Sequence, residues 1–304
     1  MSNYVPYHMH TQLSLLDSCA KYQEYVDKAQ ECGIKAFAFS EHGNIYEYHH
    51  KKTAIENAGM KYIHACECYL TESLEEKVRD NYHVWLGARN YDGFLELNEL
   101  ISHSFNRQDG HYYYKPRITW EELKNTSNNI ILTSACIASP LSVGTDDMKK
   151  QFLSFVCKNK DRCFLEVQHH NTTTQKEYNK FIQSLCEKFG LRPIAGTDTH
   201  ALDDREAKGR DMLLKSKDIA FDDNEVGWDL TFKTYEELIN AYEIQDALPM
   251  SFAKTAIDNT NELAEMVESF ELDKHTKYPH IYDDPEKTYI QKIDKAYKNH
   301  KYVK

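Results

Sequence analysis

Apolar positions along this chain alternate between two rhythms, one of period 3.6 and one of short continuous runs. Tyr22, Tyr25, Val26 and Ala29 share one face of a helix predicted over 21–32, which stops at Gly33. The run Ala36-Phe37-Ala38-Phe39-Ser40 reads as a buried strand that enters the loop Glu41-His42-Gly43-Asn44. A helix over 45–57 ends at Gly59, and strands follow over 61–69 and 82–88. Phe94, Leu95, Leu97, Leu100 and Ile101 mark a helix over 91–104. An aromatic and basic loop over 112–117 leads into a short helix from Thr119. Strands over 129–134, 162–167 and 193–197 then alternate with helices over 146–157 and 172–189, the second closed by Gly190. With a first short strand at His8 and His10, this makes about seven strand–helix alternations, the pattern of parallel strands with outer helices. A closed α/β barrel is favoured over an open doubly wound sheet, because ligand-type residues gather at strand C-terminal ends. The last third reads as helical, over 234–242, 251–268 and 286–299, and the acidic stretch 222–225 as a solvated loop. The expected division is a barrel over 1–215 and a mainly helical extension over 216–304, packed on it or linked to it.

Charge narrows the partners. Acidic residues outnumber basic ones, 48 to 37, for a net charge of -11. Tight binding of duplex DNA through many phosphates calls for a basic face, so this chain alone is not expected to provide it. A local positive site could still hold one phosphate. The eight cysteines lack the dense spacing of a secreted scaffold, and Cys66-Glu67-Cys68 has no second pair to make a zinc ribbon. The first seven residues show no signal-peptide pattern, and no run reaches the roughly 18 apolar residues of a membrane span. The expectation is a soluble protein of a reducing cytoplasm, with no membrane partner.

The chemistry lies in two pairs. Side chains at i and i+2 of a strand point the same way, so His8 and His10 project together, as do Asp198 and His200. Other metal-competent residues stand at strand ends or in adjoining loops: Asp17, His42, Glu67, His83 and Cys136. These nine side chains suit zinc, manganese or iron. They are too many for one tetrahedral ion, so two or three divalent ions sharing carboxylates are expected. Such a cluster would leave the pocket net positive within an acidic protein. Glu41 is read as orienting a ligand, and His64, of opposite strand parity to Glu67, as facing the helices. His49, His50, His169 and His170 are assigned to surface or packing, and the remaining cysteines to the core.

The order His8-x-His10, Leu15-Leu16-Asp17, Glu41-His42-Gly43-Asn44, Glu67, Tyr82-His83, Tyr114-Lys115-Pro116-Arg117, Cys136 and Asp198-x-His200 resembles the polymerase-and-histidinol-phosphatase (PHP) family. More narrowly, it is similar to the PHP domain at the N-terminus of bacterial DNA polymerase III alpha subunits. The similarity covers most of the chain, including Ala256-Ile257-Asp258-Asn259-Thr260. It implies a distorted seven-stranded TIM-like (β/α) barrel in which His8, His10, Asp17, His42, Glu67, His83, Cys136, Asp198 and His200 hold up to three metals. The implied chemistry is metal-assisted phosphoester hydrolysis, with Asp198, His10 and His42 as catalytic residues. The expected substrate is a DNA 3′ end; a phosphorylated small molecule, as in the histidinol phosphatase branch, is the alternative. A catalytically silent, metal-stapled docking module is a further one. Lys115 and Arg117, beside three tyrosines, are expected to bind a second phosphate or a terminal base. The polymerase palm is absent from this sequence, so polymerase parts in trans are possible partners.

Overall fold

The computed structural model describes residues 4–75, 78–217, 227–276 and 278–300; the predicted acidic loop at 222–225 lies outside them. The strands are β1 (Ala36–Phe39), β2 (Lys61–Thr71), β3 (Tyr82–Ala88), β4 (Tyr112–Tyr113), β5 (Lys115–Thr119), β6 (Ile130–Thr133), β7 (Cys163–Gln168) and β8 (Pro193–Gly196). Between them run α1 (Tyr22–Glu31), α2 (Tyr48–Asn57), α3 (Tyr91–Ser104), α4 (Trp120–Lys124), α5 (Pro140–Val143), α6 (Asp146–Lys158) and α7 (Thr173–Phe189). After β8 come α8 (Asp204–Ser216), α9 (Tyr235–Gln245), α10 (Met250–Glu265) and α11 (Pro285–Lys298).

The strands are hydrogen-bonded in the order β4-β5-β2-β3-β6-β7-β8, with β1 also on β2. The curled sheet closes through the N-terminal segment. Ala38 and Ser40 donate to the carbonyls of Pro6 and Met9 on one side, and His10 and Thr199 bond to Thr199 and His8 on the other. The result is a mixed α/β fold that forms a distorted barrel. Parity divides the core as a closed sheet requires. Tyr7, Ile63, Trp85, Ile131, Phe164 and Ile194 fill the interior, while Cys66, Cys68, Leu86, Leu132 and Leu165 face the helical layer.

Two features depart from the sequence reading. β3 runs antiparallel to both β2 and β6, so the barrel is not all parallel. The cause is local: no described helix joins β2 to β3, so the chain turns straight back. The 112–117 loop is also a hairpin, β4–β5, whose second strand adds to β2. Helix signals did better. Asn90, Thr145 and Thr172 accept from backbone N–H groups three residues on, and Gly190, at φ +62°, ends α7. α2 starts three residues later than predicted, because Asn44 Oδ1 takes the Tyr46 N–H and Glu47 adopts φ 56°.

One compact unit spans Met1–Phe270 and a second Glu271–Lys304, so the barrel's unit runs past the predicted boundary at 215. The reason is α10. Its small face, Ala253, Ala256, Ile257 and Thr260, is buried, and Leu263, Ala264 and Val267 enter the barrel interior. Thr260 Oγ1 accepts from Val5 N, Asn259 donates to Pro193 O, and Lys61 donates to the carbonyls of Ala264 and Val267. Pro193 and Lys61 begin their strands, so α10 closes the N-terminal mouth of the barrel. In the second unit, α11 is capped by Asp284 and buries no residue.

Candidate metal centre

The opposite mouth gathers the candidate ligands. Glu67 lies near the end of β2 and His42 just past β1, joined to it by a bridge. His83 stands at the start of β3, and reaches the same mouth because that strand is antiparallel. Cys136 follows β6, and Asp198 and His200 follow β8. The pairs do not sit on regular strands: only Met9 pairs, with Thr199, and Asp198 takes φ 47°. Ala135, before Cys136, also has a positive φ of 55°. Such backbone costs about 1–3 kcal/mol and clusters where geometry is imposed for function.

The side chains converge. His8 Nε2 and His10 Nε2 lie 3.4 and 3.3 Å from Asp198 Oδ1, and each is 3.4 Å from an oxygen of Glu67. Glu67 also faces His42 Nδ1 at 2.8 Å and His83 Nδ1 at 3.0 Å. Cys136 Sγ is 3.5 Å from His83 Nδ1. Asp17 Oδ2 is 2.9 Å from His42 Nε2 and 3.4 Å from His200 Nε2. All nine predicted ligand residues therefore meet at one mouth. Three overlapping groups each bring their donor atoms within 4.8 Å of one another, close enough for a shared ion: His8, His10, Glu67 and Asp198; His42, Glu67 and His83; His10, His42 and His200.

Their hydrogen bonding fits metals. His8 Nε2, His10 Nε2, His42 Nδ1, Glu67 Oε2 and Asp198 Oδ1 are buried without a hydrogen-bond partner, although they face one another. Orphaned buried polar atoms are costly and rare. Metal–ligand bonds of about 2.1 Å put neighbouring tetrahedral ligands about 3.4 Å apart, matching the His8, His10, Glu67 and Asp198 separations. The outer nitrogens are engaged: His8 Nδ1 with Glu166 Oε1 at 2.8 Å, His10 Nδ1 with Ser14 Oγ at 3.0 Å, His200 Nδ1 with Asp198 O at 2.8 Å. That is how a protein aims an imidazole at an ion.

Electrostatics follow from the crowding. Burial, then the neighbouring His42 and His200, push His10 down to about 3, so it stays a neutral donor. Burial also opposes charge on Glu67 and Asp17, but the surrounding imidazoles outweigh it and hold both well below the usual carboxylate range. Burial and then Glu67 push the Cys136 thiol up.

Several supporting residues escaped sequence reading. Glu166, inside β7, accepts from Tyr7 OH, Thr133 Oγ1 and Gln168 Nε2 while it holds His8. Its signal was a carboxylate among apolar strand residues. Glu41, by contrast, was read from the sequence as orienting a ligand; it takes bonds from Thr11, Ser14 and Lys51, and so supports His10 through Ser14. Arg210 of α8 binds the backbone carbonyl of Asp17 at 2.6 Å and pairs with its carboxylate.

A cavity of about 340 Å³ opens over the cluster, lined also by Tyr69, Lys115, Arg210 and Trp228. Lys115 Nζ sits 4.1 Å from the centre of the Tyr69 ring. Arg117 requires correction. Its guanidinium is buried and donates to the carbonyls of Val78, Gly110 and His111, so it anchors the hairpin and does not line the cavity. His64 faces the helices as expected, between Tyr62 OH and Asn98 Oδ1. His169 and His170 are buried packing residues, the latter stacked on Trp228.

Residues 6–170, just over half of the chain, match the family described as PHP domain. The chain is 28% identical over 291 residues to DNA polymerase III subunit alpha of Borreliella burgdorferi, covering 89% of this chain and 24% of that protein. To the same subunit of Aquifex aeolicus it is 30% identical over 228 residues, 70% of this chain and 19% of the relative. To that of Deinococcus radiodurans it is 29% identical over 281 residues, 85% and 20%. The chain thus spans a quarter or less of the length of these relatives. Among solved structures, an amidohydrolase from Chromobacterium violaceum aligns with 67% of this chain and 89% of its own at 12% identity and a TM-score of 0.42, too distant to bear on function.

Proposed function

The chain belongs to the PHP domain family, and from that premise we propose that it is a metal-dependent phosphoesterase that removes nucleotides from DNA 3′ ends. One observation carries this reading: buried donor atoms that lack partners converge beneath a cavity with a lysine at its edge. Two or three divalent ions would occupy the three overlapping groups, with His10, His42 and Glu67 each shared between two of them. Zinc, manganese and iron all suit such imidazole and carboxylate donors. Bound there, the ions supply a water of lowered pKa and polarise a phosphoryl oxygen.

The protein's own contribution is placement. Glu166 and Ser14 set the ring orientations of His8 and His10, and Arg210 holds Asp17 against His42 and His200. Lys115, beside Glu67 and Asp17 and half-covered by Tyr69, is the cation placed to meet a non-bridging phosphate oxygen. Asp198, His10 and His42 are the residues on which hydrolysis depends. The likeness to polymerase alpha subunits favours a nucleic-acid end over a small phosphomonoester, in the context of a DNA polymerase.

The test is a 5′-labelled single-stranded oligonucleotide incubated with Mn²⁺ or Zn²⁺, beside Asp198→Asn. Metal-dependent laddering that the variant loses, together with its bound metal, is the expected result. Faster turnover of p-nitrophenyl phosphate than of the oligonucleotide would move the assignment to a small-molecule phosphatase. Metal bound without hydrolysis of either substrate would leave a stapled docking module.

A further inference from the structure

A second constellation of ligand-type side chains lies outside the cavity, where α3, the segment after it and α4 meet. His103 lies in the last turn of α3, Asp109 and His111 stand in the segment after it, and Glu122 belongs to α4. The four make a closed ring of contacts. Glu122 Oε1 is 2.7 Å from His103 Nδ1, and its Oε2 is 3.1 Å from His111 Nε2. Asp109 faces the other nitrogen of each ring: Oδ2 lies 3.0 Å from His103 Nε2, and Oδ1 2.7 Å from His111 Nδ1.

The tautomers decide what this ring requires. A neutral imidazole that donates to Glu122 keeps only a lone pair on its other nitrogen. Two such lone pairs would then point at the Asp109 carboxylate, acceptor against acceptor. Positive charge must enter between them, as two extra protons or as one divalent cation. The second solution has the form of a metal site: two imidazoles and a carboxylate as ligands, with a further carboxylate fixing the far side of both rings.

We propose that His103, His111 and Asp109 bind a divalent transition ion, zinc foremost, with Glu122 as the positioning residue behind both histidines. Each of the three offers a donor atom within 4.8 Å of the others. The present contacts are shorter than the about 3.4 Å between tetrahedral ligands, and an ion seats by spreading them a few tenths of an ångström. His103 and Asp109 are partly exposed, so solvent reaches the position between them and water would complete the coordination. Asp109 is already braced by Asn106 Nδ2 at 2.6 Å and the His111 backbone N–H at 3.1 Å.

The site has a place in the architecture. Arg117 ties the carbonyls of Gly110 and His111 to β5, the strand that begins at Lys115. An ion at Asp109 and His111 therefore clips the root of the hairpin that carries Lys115 to the cavity.

The experiment is calorimetric titration of Zn²⁺ into the full chain with the principal centre disabled by His10→Ala and Glu67→Gln, which together remove a ligand from each of its three groups. One remaining zinc per chain is expected. Adding His103→Ala should abolish it, and adding Glu122→Gln should weaken it about 10–100-fold. If the disabled chain does not fold, the native centre is kept and zinc is counted after gel filtration, where His103→Ala should hold one ion fewer. An unchanged zinc count and affinity in His103→Ala would overturn the proposal and leave an ion-pair network only.

Discussion

Gly196 has no room for a side chain, since a Cβ there would stand 2.2 Å from Glu166 Oε1. The glycine exists so that Glu166 can cross beneath it to His8. Gly196→Ala should therefore cost about 1–3 kcal/mol by overpacking and also loosen metal retention. Thermal unfolding and metal content after dialysis read the two effects separately, and a stable variant with full metal would contradict this account. Lys115 and Arg117 differ in the same way. Lys115→Ala should raise KM several-fold without changing stability. Arg117→Ala should leave KM unchanged and cost about 1–3 kcal/mol, because three carbonyls lose their donor. Sequence alone put both on one basic loop, and strand alternation would face them alike; only the folded hairpin, whose carbonyls at Val78, Gly110 and His111 take the Arg117 guanidinium, separates it from Lys115 at the cavity.

At the scale of elements, α10 does for the N-terminal mouth what the ligand loops do for the other. Its hydroxyl at Thr260 takes the buried N–H of Val5, at the start of the segment that carries His8 and His10. Thr260→Val leaves that donor unpaired and should cost about 1–3 kcal/mol, seen as a lower denaturation midpoint. An unchanged midpoint would mean that the N-terminal segment is held by other bonds. Helix spans were largely legible, because caps such as Asn90 and Thr172 and the stop at Gly190 are local signals. The direction of β3 was not. A strand's own residues carry its faces but not its partner's direction, and the missing crossover helix was the single clue.

Across the whole molecule, buried charge makes stability depend on pH. Burial pushes the Glu41 carboxyl up, but Lys51, His10 and the bonds from Lys51 and Ser14 outweigh it and hold it down to about 2. A carboxyl lowered by folding contributes stability that is complete above its ordinary value of 4.5 and is lost as pH falls from there toward 2. The native chain should weaken across that window, and Glu41→Gln should flatten it. The same substitution leaves Lys51 buried without its partner, at a cost of about 3–5 kcal/mol at neutral pH. Urea unfolding at a series of pH values checks both; an acid limb of equal slope in the variant would exclude Glu41 as its source.

The sequence by itself determined most of the element spans and the nine side chains that meet at the mouth, since residue type and local periodicity are carried one position at a time. It did not determine how those side chains arrive. His83 reaches the mouth from a strand start because β3 is reversed, and Asp198 reaches it through left-handed backbone instead of strand alternation. Nor could it place Glu166, Arg210 or the clamp of α10, whose partners lie far away along the chain. Those depend on closure of the sheet through the N-terminal segment, and closure is a property of the pairing of all the strands together.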